Sequence, residues 1–128
     1  MLLEAPVGEA GPCRGLVLIV DDEEDLAAAV ELLLQRRGFR TYKVHDGPAG
    51  VAAAIELLPD LMVLDYELPE LDGLQVIERL RAEPATAQVP VLLSSAARVS
   101  LADIKKADGF LAKPFPESLL HEIGRAHV

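Results

Sequence analysis

The sequence predicts a single α/β domain in which a mostly parallel sheet has helices on both faces. Four short apolar runs and one run of alternating polarity are separated by segments whose apolar residues recur at helical spacing, the pattern of repeated strand–helix units. The connections are short, so right-handed crossovers are expected. The chain has 128 residues, 51% of them hydrophobic and none of them Trp, which suits one compact domain with an aliphatic core.

The first strand–helix unit follows an N-terminal arm. Residues 1–14 contain Pro and Gly without periodicity and are predicted to form a flexible arm. Leu16–Val20 is a continuous apolar run, typical of a strand buried on both faces. The acidic residues 21–25 then open a helix, because negative charge suits the positive end of the helix dipole. Gly38 is placed to end this helix.

The second and third units repeat this order. Residues 41–45 alternate in polarity and predict a strand near an edge of the sheet. Asp46-Gly-Pro48 opens the second helix, with Pro in its first turn. Residues 61–64 form another apolar run, which predicts the third strand and ends at Asp65.

The fourth and fifth units complete the sheet. Gly73 leads into a helix whose Leu74, Ile77 and Leu80 are expected to face the sheet. Residues 90–93 and 110–112 predict strands four and five, and residues 116–125 predict a last amphipathic helix.

Composition excludes several classes of function. A net charge of −9 argues against a nucleic-acid-binding surface, because phosphate backbones select basic patches. No apolar run approaches the roughly 18–20 residues of a membrane span, and the N-terminus lacks the pattern of a secretion signal. The single cysteine, Cys13, cannot form an internal disulfide. These features predict a cytoplasmic domain.

Polar residues stand at the carboxyl ends of the central strands, where doubly wound sheets bind ligands. Taken singly, such residues are often caps or surface charges, but here they are expected to converge. Clustered carboxylates repel unless a cation lies among them, and oxygen ligands favour Mg²⁺ over zinc. A carboxylate nucleophile with hydroxyl and ammonium donors suits phosphoryl transfer. The residues are Asp21, Asp22, Asp65, Ser94, Ser95 and Lys113.

Four motifs resemble the signatures of response-regulator receiver domains. They are Leu18-Ile-Val-Asp-Asp-Glu23, Val63-Leu-Asp65-Tyr-Glu-Leu-Pro69 with Asp72-Gly73, Pro90-Val-Leu-Leu-Ser-Ser-Ala96, and Gly109-Phe-Leu-Ala-Lys-Pro-Phe115. The resemblance covers residues 16 to about 123. It implies a flavodoxin-like, doubly wound five-stranded parallel sheet with strand order 2-1-3-4-5. The receiver domain is expected over residues 15–125, followed by a short tail, 126–128.

The resemblance also implies roles for the acidic residues. Asp65 matches the phosphoacceptor. Asp22 and Asp65 are expected to bind Mg²⁺ directly, Glu67 through its backbone carbonyl, and Asp21 through water.

Four further residues receive roles from the same resemblance. Ser95 and Lys113 are expected to contact the phosphoryl group. Ser95 also matches the switch hydroxyl, and Phe110 matches the aromatic residue that moves with it. The Lys113–Pro114 peptide bond is expected to be cis, because the chain must turn sharply after strand five.

The chain departs from the family pattern between Ser95 and Phe110, where it is several residues short. Lys106 stands where the family has Gly, and residues 100–106 allow only about two helical turns. Leu101 and Ile104 are expected to face inward. Such a shortened fourth helix is expected to be mobile or ordered by a partner. The first candidate for that partner is a second copy, which would form a homodimer through the fourth-helix, strand-five and fifth-helix face.

The expected function is that of a phosphoacceptor in a two-component pathway rather than an enzyme. A histidine kinase or phosphotransfer protein would be the donor, and a downstream protein or output domain the receiver of the signal. One alternative is a binding-only module that no longer cycles phosphate. Another is an Mg²⁺-dependent phosphohydrolase in which Glu67, two positions after Asp65, acts as general acid.

Overall fold

The computed structural model describes residues 14–96 and 98–113, and strands and helices alternate along them. The strands are β1 (Leu16–Val20), β2 (Arg40–Val44), β3 (Leu61–Asp65), β4 (Val91–Ser95) and β5 (Gly109–Ala112). The helices are α1 (Glu24–Arg36), α2 (Gly47–Leu57), α3 (Gly73–Ala82) and α4 (Leu101–Ile104). Residues 1–13 of the predicted arm and the predicted last helix, 116–125, lie outside the described residues. Among the described helices, none has the length and apolar character needed to cross a membrane.

The five strands form one parallel sheet in the order β2-β1-β3-β4-β5. This confirms the predicted fold and strand order. The chain leaves β1 toward β2 on one side and later returns to β3 on the other, so a crevice opens at the carboxyl ends of β1 and β3. Asp65 is in register with Ser94 of β4, which brings the polar strand ends to the same edge.

Alternate residues of the strands enter two separate hydrophobic cores, because successive side chains of a strand point to opposite faces. In β1, Val17 and Ile19 pack with α1, whereas Leu18 and Val20 pack with α2 and α3. With helices on both faces, every residue of β1, β3 and β4 is buried. The residues of β2 are half-buried or exposed, as the alternating pattern and the edge position predict.

Strand boundaries differ from the predicted ones by one or two residues. Strand β2 begins and ends one residue earlier than predicted. Strand β4 begins at Val91 rather than Pro90 and continues to Ser95. Proline has no N–H to donate, and the first amide of the strand, that of Val91, donates to Asp108 Oδ2 at 2.8 Å.

Helix α4 is shorter than predicted and faces differently. It forms a single turn after Ser100, whose hydroxyl accepts a hydrogen bond from Asp103 N at 3.2 Å. The expectation that Leu101 faces inward is wrong, since its side chain is 67% exposed. Ile104 is half-buried. One turn is too short to lay both residues on the sheet, and Ala107 and Phe110 pack against the core instead.

Candidate functional site

Three carboxylates meet at the carboxyl ends of β1 and β3. One oxygen from each of Asp21, Asp22 and Asp65 lies within 4.8 Å of the others. Asp21 and Asp65 are 4% and 3% exposed, whereas Asp22 is exposed. The structure thus brings together the three acids that the sequence placed at these strand ends.

Asp21 is fixed by contacts from three residues. Its N–H donates to Val44 O at 3.1 Å, which continues the β1–β2 ladder by one residue. Its Oδ1 accepts from Glu23 N at 2.9 Å. His45 Nδ1 lies 3.0 Å from its carbonyl oxygen. His45 is the last residue of the predicted edge strand, and the sequence did not predict this contact.

Asp65 is held by the close approach of α3 to the end of β3. A Cβ added to Gly73 would lie 2.7 Å from Asp65 O and 2.9 Å from Leu93 Cδ1, so only glycine allows the helix to start there. The Asp65 side chain also accepts a hydrogen bond, at 3.4 Å, from Glu67 N to its Oδ1. The Asp65 carboxylate therefore stands on a tightly packed strand–helix junction.

Lys113 brings the compensating positive charge from the end of β5. Its Nζ lies 3.2 Å from Asp21 Oδ2, 3.4 Å from Asp65 Oδ1 and 2.9 Å from Glu23 Oε1. The side chain is 9% exposed, and Lys113 N donates to Ser95 O at 3.1 Å. Glu23 was not predicted as a site residue. It belonged to the acidic run, which is usually a solvated helix start, and it closed the first motif, but neither signal gave it a role.

The positive charge of Lys113 does not fully compensate the buried carboxylates of the site. Burial, and then the neighbouring Asp21 charge, raise the pKa of Asp65 to about 6. Burial also raises the pKa of Asp21. Burial would lower the pKa of Lys113, but the Glu23 hydrogen bond and the charges of Asp21 and Asp65 outweigh it and raise that pKa. One ammonium thus does not offset the cost of two buried carboxylates, and a further cation would favour their ionised forms.

The three carboxylates fit a hard divalent cation. Their donors are oxygens, which Mg²⁺ prefers, and the exposed Asp22 leaves room for the water ligands that Mg²⁺ usually retains. Zinc would favour His or Cys ligands. The roles of Asp22 and Asp65 as direct ligands, Asp21 as a water-mediated ligand and Glu67 as a carbonyl ligand stay predictions.

The two serines at the end of β4 make different contacts. Ser94 Oγ donates to Leu64 O at 3.5 Å, so it is directed to the backbone of β3. Ser95, 1% exposed, has its Oγ 3.2 Å from both carboxylate oxygens of Glu67. Phe110 is half-buried against the core that faces α2 and α3. Pro114 lies outside the described residues, so the cis bond after Lys113 stays a prediction.

The strand order and the acidic crevice define a flavodoxin-like α/β domain with a site suited to a divalent cation. The family model of the response regulator receiver domain matches residues 17–125. The chain therefore belongs to the response regulator receiver domain family. Among curated proteins, it is 38% identical over 103 residues to the DNA-binding dual master transcriptional regulator RpaA of Synechocystis sp., covering 77% of this chain and 43% of RpaA. The chain spans about half the length of the curated relatives it matches.

Solved structures support the same assignment. The chemotaxis response regulator CheY4 of Vibrio cholerae is 26% identical with a TM-score of 0.82, covering 91% of this chain and 99% of that one. The receiver domain of the sensor histidine kinase PA1611 of Pseudomonas aeruginosa is 27% identical with a TM-score of 0.77, covering 88% and 97%. That structure has a magnesium ion coordinated in its active-site cleft.

Proposed function

We propose that this domain is the phosphoacceptor of a two-component pathway and is phosphorylated on Asp65 with Mg²⁺ as cofactor. The observation that carries the proposal is the position of Asp65. Its carboxylate is buried, shares a cluster with Asp21 and Asp22, and lies 3.4 Å from the Lys113 ammonium. A nucleophilic oxygen, a set of metal ligands and a fixed cation are the parts that phosphoryl transfer to a carboxylate requires.

The reaction is a displacement at phosphorus. An ionised Asp65 oxygen attacks the phosphorus atom, and the P–N or P–O bond of the donor breaks with its electron pair leaving on the donor. Mg²⁺, when bound, supplies positive charge to the phosphoryl oxygens and favours the ionised form of Asp65. Lys113 neutralises part of the charge that arrives, and the Ser95 hydroxyl donates to another phosphoryl oxygen. When Ser95 moves to make this hydrogen bond, the Phe110 side chain moves with it.

The partners follow from this chemistry. A phosphohistidine of a histidine kinase or phosphotransfer protein is the donor, and a downstream protein or output domain receives the signal in the cytoplasm. RpaA is named as a DNA-binding regulator, but the net charge of −9 argues against DNA binding by this domain itself. The surface that would change on phosphorylation is the fourth-helix, strand-five and fifth-helix face, which would also support a homodimer.

Phosphorylation by acetyl phosphate tests the proposal directly. With Mg²⁺, the intact mass of the wild-type domain should rise by one phosphoryl group, and chelation of Mg²⁺ should prevent this. Asp65→Asn should abolish labelling, because the amide cannot attack phosphorus. Asp25→Asn is a matched control, since Asp25 is an exposed acid in the first turn of α1 and its replacement should leave labelling unchanged. Full labelling of Asp65→Asn would place the acceptor elsewhere.

The same assay separates the two alternative functions. A binding-only module would bind Mg²⁺ without gaining mass. A phosphohydrolase would turn over p-nitrophenyl phosphate and would lose this activity in Glu67→Gln. The Glu67 carboxylate lies within hydrogen-bond distance of Ser95 Oγ. This contact favours the receiver function over the phosphohydrolase, because it leaves Glu67 bonded to a protein hydroxyl rather than available as a general acid.

A further inference from the structure

The Glu67 side chain engages the hydroxyl that the phosphorylated site would need. Ser95 Oγ lies 3.2 Å from Glu67 Oε1 and 3.2 Å from Oε2. Ser95 is 1% exposed, whereas Glu67 lies at the surface. The buried hydroxyl of β4 is thus bound by a carboxylate that belongs to the loop after β3.

Glu67 is tied to the phosphoacceptor through its backbone as well. Its N–H donates to Asp65 Oδ1 at 3.4 Å. One residue therefore contacts Asp65 with its main chain and Ser95 with its side chain. A serine hydroxyl has a single proton to donate. Ser95 can donate it to Glu67 or to a phosphoryl oxygen on Asp65, but not fully to both.

We propose that Glu67 is a positioning residue that holds the Ser95 hydroxyl in the unphosphorylated domain and releases it when Asp65 is phosphorylated. This inference rests on the proposed function of Asp65. A phosphoryl group carries nearly two negative charges and three acceptor oxygens. Because it replaces the carboxylate charge of Asp65, the site gains about one net negative charge. The added charge repels the Glu67 carboxylate, while the new oxygens compete for the Ser95 proton. The Ser95 hydroxyl thereby changes its hydrogen-bond acceptor from Glu67 to a phosphoryl oxygen on Asp65.

The holding contact stabilises the unphosphorylated arrangement. A group that binds Asp65 and uses the Ser95 hydroxyl must first break the contact with Glu67. Loss of the Glu67 carboxylate should therefore tighten binding of a phosphoryl analogue. Loss of its charge would also tighten binding of any anion, whether or not Ser95 takes part. The test must separate these two effects.

A double-mutant cycle makes this separation. The probe is beryllofluoride with Mg²⁺, whose affinity is measured by calorimetry for wild type, Glu67→Ala, Ser95→Ala and the double variant. The charge effect of Glu67→Ala is common to both backgrounds and cancels in the cycle. The gain from Glu67→Ala should be about fivefold larger in the wild-type background than in the Ser95→Ala background, a modest value for a hydrogen bond to an exposed charged acceptor.

Ser94 supplies the matched control. It neighbours Ser95 and is equally buried, but its hydroxyl donates to Leu64 O. The same cycle with Ser94→Ala should show no coupling to Glu67→Ala. A further variant, Glu67→Gln, removes the charge but keeps an acceptor for Ser95, and should show less coupling to Ser95→Ala than Glu67→Ala does. Thermal unfolding of each variant checks that the fold is retained.

The outcomes distinguish this inference from the proposed function. Equal gains from Glu67→Ala in the wild-type and Ser95→Ala backgrounds would overturn the role of Glu67 while leaving phosphorylation of Asp65 intact. Coupling to Ser94→Ala of the same size would overturn it too, because the effect would then not depend on the Ser95 hydroxyl. A wild-type domain that neither binds beryllofluoride nor is labelled by acetyl phosphate would overturn both proposals.

Discussion

Helices α3 and α4 follow the neighbouring strands β3 and β4, but they are held very differently. Helix α3 has ten residues, a capping box between Asp72 and Gln75, and buried side chains on its sheet side. Helix α4 has four residues, one cap from Ser100, and no buried residue. The Asp65 side of the crevice is therefore tightly packed, whereas on the side that includes Ser95 the helix is held by few contacts.

The chain after α4 is anchored again at Asp108. Its Oδ2 accepts from Val91 N at 2.8 Å and from Arg81 Nη2 at 3.0 Å, and its own N–H donates to Val91 O at 2.8 Å. The turn of α4 thus lies between the fixed strand β4 and a fixed entry into β5. If Asp65 is phosphorylated as proposed, such a segment suits a change of order better than the shift of a rigid helix.

The largest expected difference between the two regions is in stability. Leu80 of α3 is fully buried, so Leu80→Ala should lower the free energy of unfolding by about 3 kcal/mol through lost burial and a cavity. Leu101 of α4 is 67% exposed, so Leu101→Ala should change it by less than about 0.5 kcal/mol. Urea unfolding measures both values. Similar losses in a proven monomer would show that α4 packs as firmly as α3.

A second prediction concerns Asp65, whose carboxylate contacts Lys113 at the end of β5. Without Mg²⁺, Asp65→Asn should raise the free energy of unfolding at pH 7.5 by about 1–2 kcal/mol, because it removes a buried charge that Asp21 repels. With Mg²⁺, the wild-type domain should become the more stable of the two, since Mg²⁺ stabilises it by mass action but binds the variant weakly. Urea unfolding with and without Mg²⁺ measures this.

The pH dependence of that difference has a defined sign. The pKa of Asp65 is raised in the folded domain to about 6, from its ordinary value of 3.8. Its contribution to stability is fully present below the unfolded pKa and is lost as pH rises through the folded pKa. Wild type and Asp65→Asn should therefore be similar near pH 4 and diverge up to about pH 7. A constant difference across this range would contradict the raised pKa.

The smallest expected effects concern the two helix caps. Asp72→Ala should cost about 1 kcal/mol, because the Asp72 side chain accepts from Gln75 N at 2.9 Å at the start of a packed helix. Ser100→Ala should leave the free energy of unfolding nearly unchanged, since the single turn of α4 opens independently of the rest.

Hydrogen exchange gives the local measurement for the same comparison. In a dilute monomer, amides in residues 101–107 should exchange much faster than those in the middle of α3, and Ser100→Ala should accelerate them further. Slow exchange in residues 101–107 would contradict a loosely held α4. Slowing that appears only at high protein concentration would instead indicate that a second copy orders the segment.

Local pattern in the sequence was sufficient for the existence of the strands and for the convergence of Asp21, Asp22 and Asp65 at one edge of the sheet. The continuous apolar run of β1 predicted a central strand, and the alternating run of β2 predicted an edge strand. A strand buried on both faces needs apolar residues at every position, whereas a strand buried on one face needs them at every second position. The motifs around Asp65 and Lys113 then predicted the strand order, through their family resemblance. Parallel strands end at the same edge, so residues that follow them converge without further information.

Contacts that depend on side-chain direction were decided only by the tertiary structure. The bonds of Lys113 to Glu23, of His45 to Asp21 O and of Ser95 to Glu67 each join residues far apart in sequence. No local period encodes such pairs, since they arise from strand register and from the rotamers that neighbouring charges favour. The exposure of Leu101 has the same origin. Helical spacing predicts which residues share a face, but burial requires a surface to cover that face, and a single turn does not reach one.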